Sequence, residues 1–206
     1  MEYVYHGSKT CGIETLEPRE STHGEKLVYA ALSKEAAMVM SVHMKDLNAR
    51  ISGTGTKEDP LIIVERRKGV FDKYLHRDTI IYKLDGSDFR SGTGWRGEVI
   101  SEKAQDVLEE EHIEDIYSEL QKMEQDGNLK LYHYPDRPVG VPLDNSDLIS
   151  HWLDAKNVKF SKKISQLMMV GARYPKLIGK IFSESINKIK NNVKNGKSKN
   201  TTHSKC

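Results

Sequence analysis

The sequence predicts an α+β fold, and three observations carry that prediction. Short runs rich in β-branched and aromatic residues recur between turn-rich loops, as strands do. Segments with apolar residues at helical spacing stand among and after them, one early and one late in the first two thirds. The charge then changes sign: from residue 157 onward twelve basic residues face one acid, Glu184, so an acidic domain precedes a basic extension. Proline clusters at Pro135, Pro138 and Pro142 place the divisions at 1–142 for the compact domain, 143–190 for a helical extension and 191–206 for a disordered Asn/Lys/Ser-rich tail.

The first strand, 3–6, opens with Tyr3-Val4-Tyr5 and runs into His6-Gly7-Ser8. This places an imidazole and a hydroxyl at a sheet rim, with a glycine whose bare backbone a ligand can approach. Residues 11–26 read as loop, with Gly12, Pro18, Ser21, Thr22 and Gly24 as turn formers. A second strand, 28–31, lies in Leu27-Val28-Tyr29-Ala30-Ala31-Leu32. Ser33 then caps a helix over 34–47 whose apolar stripe is Ala36, Ala37, Met40 and Met44.

Ser52-Gly53-Thr54-Gly55-Thr56 is glycine-rich but lacks the Gly-Lys-Ser/Thr of a phosphate loop, so it reads as an exposed connection. Leu61-Ile62-Ile63-Val64-Glu65 is apolar without alternation, as a central strand covered on both faces would be. A turn or short helix over 70–77 leads to a strand at 79–84. Residues 86–97 form a glycine-rich loop whose Trp95 is placed to reach a ligand, and a strand follows at 98–101. The spacing of Leu108, Ile113, Ile116, Tyr117, Leu120 and Met123 predicts a helix over 108–126, closed by Gly127, and 129–134 is the last strand. Residues 148–155 and 160–189 have helical spacing.

No apolar run approaches the roughly 20 residues needed to span a bilayer. The N-terminus has neither the basic nor the apolar region of a secretory signal. Cys11 and Cys206 make no metal motif and no disulfide framework. These features predict a cytoplasmic protein without a metal centre.

A histidine beside a glycine is commonly a strand-end residue, and a tyrosine in an apolar run is commonly core. A glutamate at a strand start, such as Glu98, commonly solvates that end. Their order is what gives them weight: strand-His-Gly-Ser, strand-Tyr followed by a helix, then loop-Glu-strand. In the fragments "YHGS", "VYAALSKEAA" and "GEVIS", the chain resembles the ADP-ribosyltransferase superfamily, in its His-Tyr-Glu branch of diphtheria-toxin-like enzymes and poly(ADP-ribose) polymerases. The resemblance covers residues 3–134.

It implies a split β-sheet core with flanking helices, NAD as ADP-ribose donor and mono-ADP-ribosyltransferase activity. His6 would bond a ribose hydroxyl, Gly7 would offer its backbone to the nicotinamide carboxamide, and Ser8 and Ser33 would support the pocket. Tyr29 would stack on the nicotinamide, and Glu98 would be the catalytic carboxylate. Breaking the bond from nicotinamide to ribose builds positive charge on the sugar, which a fixed carboxylate stabilises. Glu102, on the same strand face as Glu98, is the alternative carboxylate. Arg96 stands where arginine-modifying members carry Glu or Gln, which argues against an arginine acceptor. The acceptor would be a protein, nucleic-acid or small-molecule group that the sequence leaves open, and the basic tail fits an anionic partner or a solvated end. The competing reading is a module that binds NAD, ADP-ribose or a nucleic-acid end without transferring anything.

Overall fold

The computed structural model describes residues 2–20, 25–92, 94–155 and 158–199. Two compact units divide the chain, Met1–Pro138 and Val139–Cys206. The division follows the second of the three clustered prolines.

The first unit runs β1 (Tyr3–Ser8), β2 (Thr15–Leu16), β3 (Arg19–Glu20), β4 (Lys26–Ala31), α1 (Lys34–Ser41), β5 (Ala49–Ser52), β6 (Leu61–Glu65) and α2 (Val70–Leu75). It continues with β7 (Thr79–Asp85), β8 (Arg90–Ser91), β9 (Glu98–Ser101), β10 (Gln105–Ile113), α3 (Ile116–Gln125) and β11 (Leu129–Tyr132). All six expected strands form, β6 and β9 with the expected bounds. Ser21, Thr22 and Gly24, expected in a turn, lie outside the described residues.

The larger sheet is antiparallel throughout, in the order β2-β10-β7-β1-β4-β9-β8, with β3 paired to β4. A second sheet, β11-β6-β5, has the apolar β6 at its centre, parallel to β11 and antiparallel to β5. The large sheet is nearly cut in two. β1 pairs with β7 from Tyr3↔Asp85 to Ser8↔Ile80, and β4 pairs with β9 from Val28↔Ser101 to Ala31↔Glu98. Between β1 and β4 the register holds a single pair, Tyr5↔Ala31.

Alternation along these strands assigns the two faces. One face meets α1, α2, α3 and the small sheet in a core that includes Ala37, Met38, Ile63, Phe71, Ile81 and Leu120. The other face buries Val4, Val28, Ala30, Tyr82, Leu84 and Val99, closed by Leu16 and Phe89.

In the first unit two expected helices differ from the sequence expectation, and the short β2, β3 and β8 form where loop was expected. The helix predicted over 108–126 is a strand followed by a helix: β10 pairs with β7, and α3 starts only where Asp115 caps it by accepting from the Ser118 N–H at 2.8 Å. The acidic run within β10 is held by lysines of its neighbours, Lys83 of β7 on Glu109 at 2.8 Å and Lys34 of α1 on Glu111 at 2.6 Å. Leu108, which anchored the helical spacing, is 51% exposed. α1, for its part, stops at Ser41 rather than continuing to 47, because His43 turns into the left-handed region at φ 50°.

The second unit contains α4 (Asp147–Asp154), α5 (Phe160–Arg173), a 3₁₀ turn (Pro175–Leu177) and α6 (Ile178–Lys199). Pro175, which has no N–H and restricts Tyr174, separates α5 from α6. The stretch from Asn191, expected to be disordered, continues α6 as far as Lys199; the rest of that tail lies outside the described residues. No helix among the described residues is long and apolar enough to cross a membrane.

Candidate functional site

Past the Tyr5↔Ala31 pair, β1 and β4 part, and a cavity of about 480 Å³ lies along the opening. That volume is in the range of small-molecule sites, roughly 300–1,000 Å³. His6, Gly7 and Ser8 line it from β1, and Val28, Tyr29 and Ala30 from β4. α1 contributes Ala37, Val39 and Met40, and the segment after β1 contributes Thr10, Ile13 and Leu16. The split in the sheet creates the site.

His6 bridges the opening. Its Nδ1 lies 2.6 Å from the backbone oxygen of Tyr29. A carbonyl only accepts, so Nδ1 carries the proton, and in the neutral ring Nε2 is left as an acceptor. Burial holds the imidazole pKa below its usual value, against the opposing pull of the Tyr29 carbonyl and with a further lowering from Arg19. His6 is therefore a neutral acceptor at physiological pH. Its tautomer is fixed by the strand across the gap.

Gly7 is glycine for a packing reason on one side. A Cβ there would overlap the Ala37 backbone oxygen of α1 and stand 2.8 Å from the Ser41 Cβ. α1 thus closes directly on the strand that carries the cavity wall. Ser8 Oγ accepts from the Thr10 N–H at 3.1 Å, and the Ser8 carbonyl accepts from Thr79 Oγ1 at 3.0 Å. The buried Tyr82 donates its hydroxyl to the Thr10 carbonyl at 2.7 Å and accepts from the Ile13 N–H at 3.3 Å, pinning the segment that forms the far wall. Tyr29 shares its sheet face with Ala31 and Glu98, whereas His6 projects from the opposite face with Val4.

Glu98 is not among the residues lining the cavity. It stands opposite Ala31 on β9, a diagonal neighbour of Tyr29, half-buried under its own loop. A Cβ on Gly92 would come 2.5 Å from Glu98 Oε1, and one on Gly94 3.6 Å from it. Glu102 lies beyond the strand, exposed and paired with Arg90 at 2.8 Å. Ser33 is buried at the start of α1, accepting from the Ala36 N–H at 3.2 Å, with Gly55 packed against its hydroxyl. Trp95 turns inward instead of reaching the cavity: it packs on the core beside α1 and folds over Gly97. The structure thus brings His6, Gly7, Ser8 and Tyr29 to one cavity, and leaves Glu98, Glu102 and Ser33 off its lining.

No family model, curated protein or solved structure matches the chain.

Several further residues line the cavity that were not read as site residues from the sequence. Arg19, on the two-residue β3, is the one guanidinium or ammonium side chain on the cavity wall among the described residues. His43 and Met44 follow α1, in a stretch the helical spacing had assigned to that helix. Glu17 and Glu20 flank Arg19 on the same wall. The cavity is thus lined by a histidine, a tyrosine and an arginine with two glutamates beside it. That combination suits a ligand with hydroxyls and a flat ring.

Proposed function

We propose that the protein is a cytoplasmic mono-ADP-ribosyltransferase that binds NAD where β1 and β4 part. The observation that carries the proposal is the His6 bridge. Its hydrogen bond to the Tyr29 backbone carbonyl fixes the tautomer and position of the imidazole at the split, beside a cavity that both residues line. NAD supplies a glycosidic bond whose cleavage releases nicotinamide with the bonding electron pair and leaves ADP-ribose for an acceptor nucleophile.

His6 Nε2 accepts a hydroxyl of the nicotinamide ribose, and the Tyr29 ring flanks the base. Gly7 contributes backbone groups to the carboxamide, Ser8 closes that end, and Arg19 holds the diphosphate. Ser33 acts one step removed, as the cap that fixes α1 against Gly7. Glu98 is the catalytic carboxylate: a diagonal neighbour of Tyr29 on the same sheet face is within reach of a sugar beside that ring. Its negative charge favours the transition state over the ground state. The acceptor is a protein or nucleic-acid group.

A second reading is a module that binds NAD or ADP-ribose without transferring it. It is favoured by one observation, the position of Glu98 under the 92–97 loop and off the cavity lining. Incubation with radiolabelled NAD separates the two. Transfer or nicotinamide release supports the enzyme, NAD binding alone supports the module, and no binding removes both.

A further inference from the structure

The second unit leaves two stripes of apolar side chains in solvent, and we propose that its α5 and α6 helices dock on an anionic lipid surface. Within the unit, α5 buries Leu167, Val170 and Gly171. At Gly171 the helices approach closely: a Cβ would stand 3.4 Å from Ile178 Cγ1 and 3.6 Å from Ile181 Cδ1. That packing leaves part of each helix surface uncovered, with Ile178 at its border. On α5, Phe160, Ile164 and Met168 recur every fourth residue and are 71%, 38% and 70% exposed. On α6, Ile178, Phe182 and Ile186 do the same at 45%, 66% and 49%. Scattered surface apolar residues are ordinary. Two helical stripes of them, each with aromatic and aliphatic members, are not.

The charge around the stripes selects the occupant. From residue 157 the chain carries eleven lysines and Arg173 against Glu184 alone. Lys180 and Lys188 pair with Asp144 and Asp154 within the unit, while Lys162 and Lys176 are exposed on α5 and beside it. Apolar stripes on helices whose remaining surface carries lysines describe helices that lie in a membrane interface, their apolar residues among acyl chains and their cations on anionic headgroups. Self-association through these stripes would set two basic helical surfaces face to face. Nucleic acid would engage the lysines but leave both phenylalanines and four aliphatic side chains in water. The helices lie on the surface and do not span it.

The test is co-sedimentation of the full chain with phosphatidylcholine vesicles, with and without phosphatidylserine. It should bind the anionic vesicles and not the neutral ones, and raising the salt from about 0.1 M toward 1 M should weaken that binding as screening predicts. The double variant F182S/I186S should lower partitioning about a hundredfold, by removing two inserted apolar side chains. Both residues are exposed, so its circular dichroism should match that of the parent. K162Q/K176Q keeps every apolar contact and should lower binding about fivefold per lysine; it carries the test if the first variant loses helicity. Equal binding to neutral vesicles, or none to anionic ones, overturns the proposal. So does salt-sensitive binding of duplex DNA that survives F182S/I186S in the absence of vesicle binding, or a dimer in light scattering that this variant dissolves. None of these outcomes bears on NAD binding in the first unit.

Discussion

His6 and Glu98 are both half-buried polar residues on strands beside the split, and the molecule holds them in opposite ways. His6 is locked by a bond across the gap to Tyr29 and backed by a strand that pairs with β7 along its whole length. Glu98 begins a four-residue strand, beneath a loop of glycines that accommodates its carboxylate. One wall of the cleft is preorganised by the fold. The other carries its carboxylate off the cavity lining, packed against Gly92 and Gly94. The difference teaches that the residues proposed to recognise NAD and the carboxylate proposed to act on it are held by separate elements, the first on the cavity lining and the second off it.

The contrast is first broken with glycine. Gly7→Ala places a methyl group on the Ala37 carbonyl, where backbone must move, so stability should fall by about 3 kcal/mol, read as a lower urea midpoint. Gly92→Ala meets the Glu98 carboxylate, with the Glu98 Cγ and backbone oxygen both at 3.0 Å, and should cost less, about 1 kcal/mol, while displacing the carboxylate. Equal losses at the two sites would mean that the walls are equally rigid.

Tyr29→Ala should weaken NAD binding by about 2 kcal/mol, roughly thirtyfold in Kd by calorimetry, because it removes a ring but leaves the backbone carbonyl that orients His6. A Kd unchanged by this variant would place the nicotinamide elsewhere.

The pH dependence sharpens the His6 side. Its folded pKa lies below the ordinary value of 6.5, chiefly through burial. The neutral ring is the one that fits the fold, so its contribution to stability is complete above pH 6.5 and is lost as pH falls toward the folded pKa. NAD affinity should likewise be flat at neutral pH and fall only in acid, when Nε2 becomes a donor. His6→Ala should abolish that acid limb, and an unaltered profile would show that another group titrates. The smallest effect is expected at Glu102→Gln: an exposed carboxylate paired with Arg90 should change transfer by less than about twofold.

Much of this architecture was legible because its strands are locally distinct. The apolar run of β6 and the short β9 stand at the bounds their composition marks, and Ser33 caps α1 as its position before Lys34-Glu35-Ala36 suggests. β10 was not legible. Its residues satisfy helical spacing almost as well as a strand, and what decides is pairing with β7, some 26 residues away in sequence at Lys83↔Glu109. In the site, His6, Gly7, Ser8 and Tyr29 carry local signals that survive into one cavity. Arg19 has none, since a two-residue strand in a loop leaves no pattern. Nor does sequence report which way a glutamate turns when glycines give it room on two sides.

The most direct test of the central claim is single-turnover nicotinamide release and label transfer from radiolabelled NAD, comparing the parent with Glu98→Gln. The variant keeps the shape of the side chain and removes its charge, so the rate should fall by about 10²–10³-fold while Kd for NAD stays within about twofold. A parent that binds NAD but releases no nicotinamide, or a variant as fast as the parent, would contradict it.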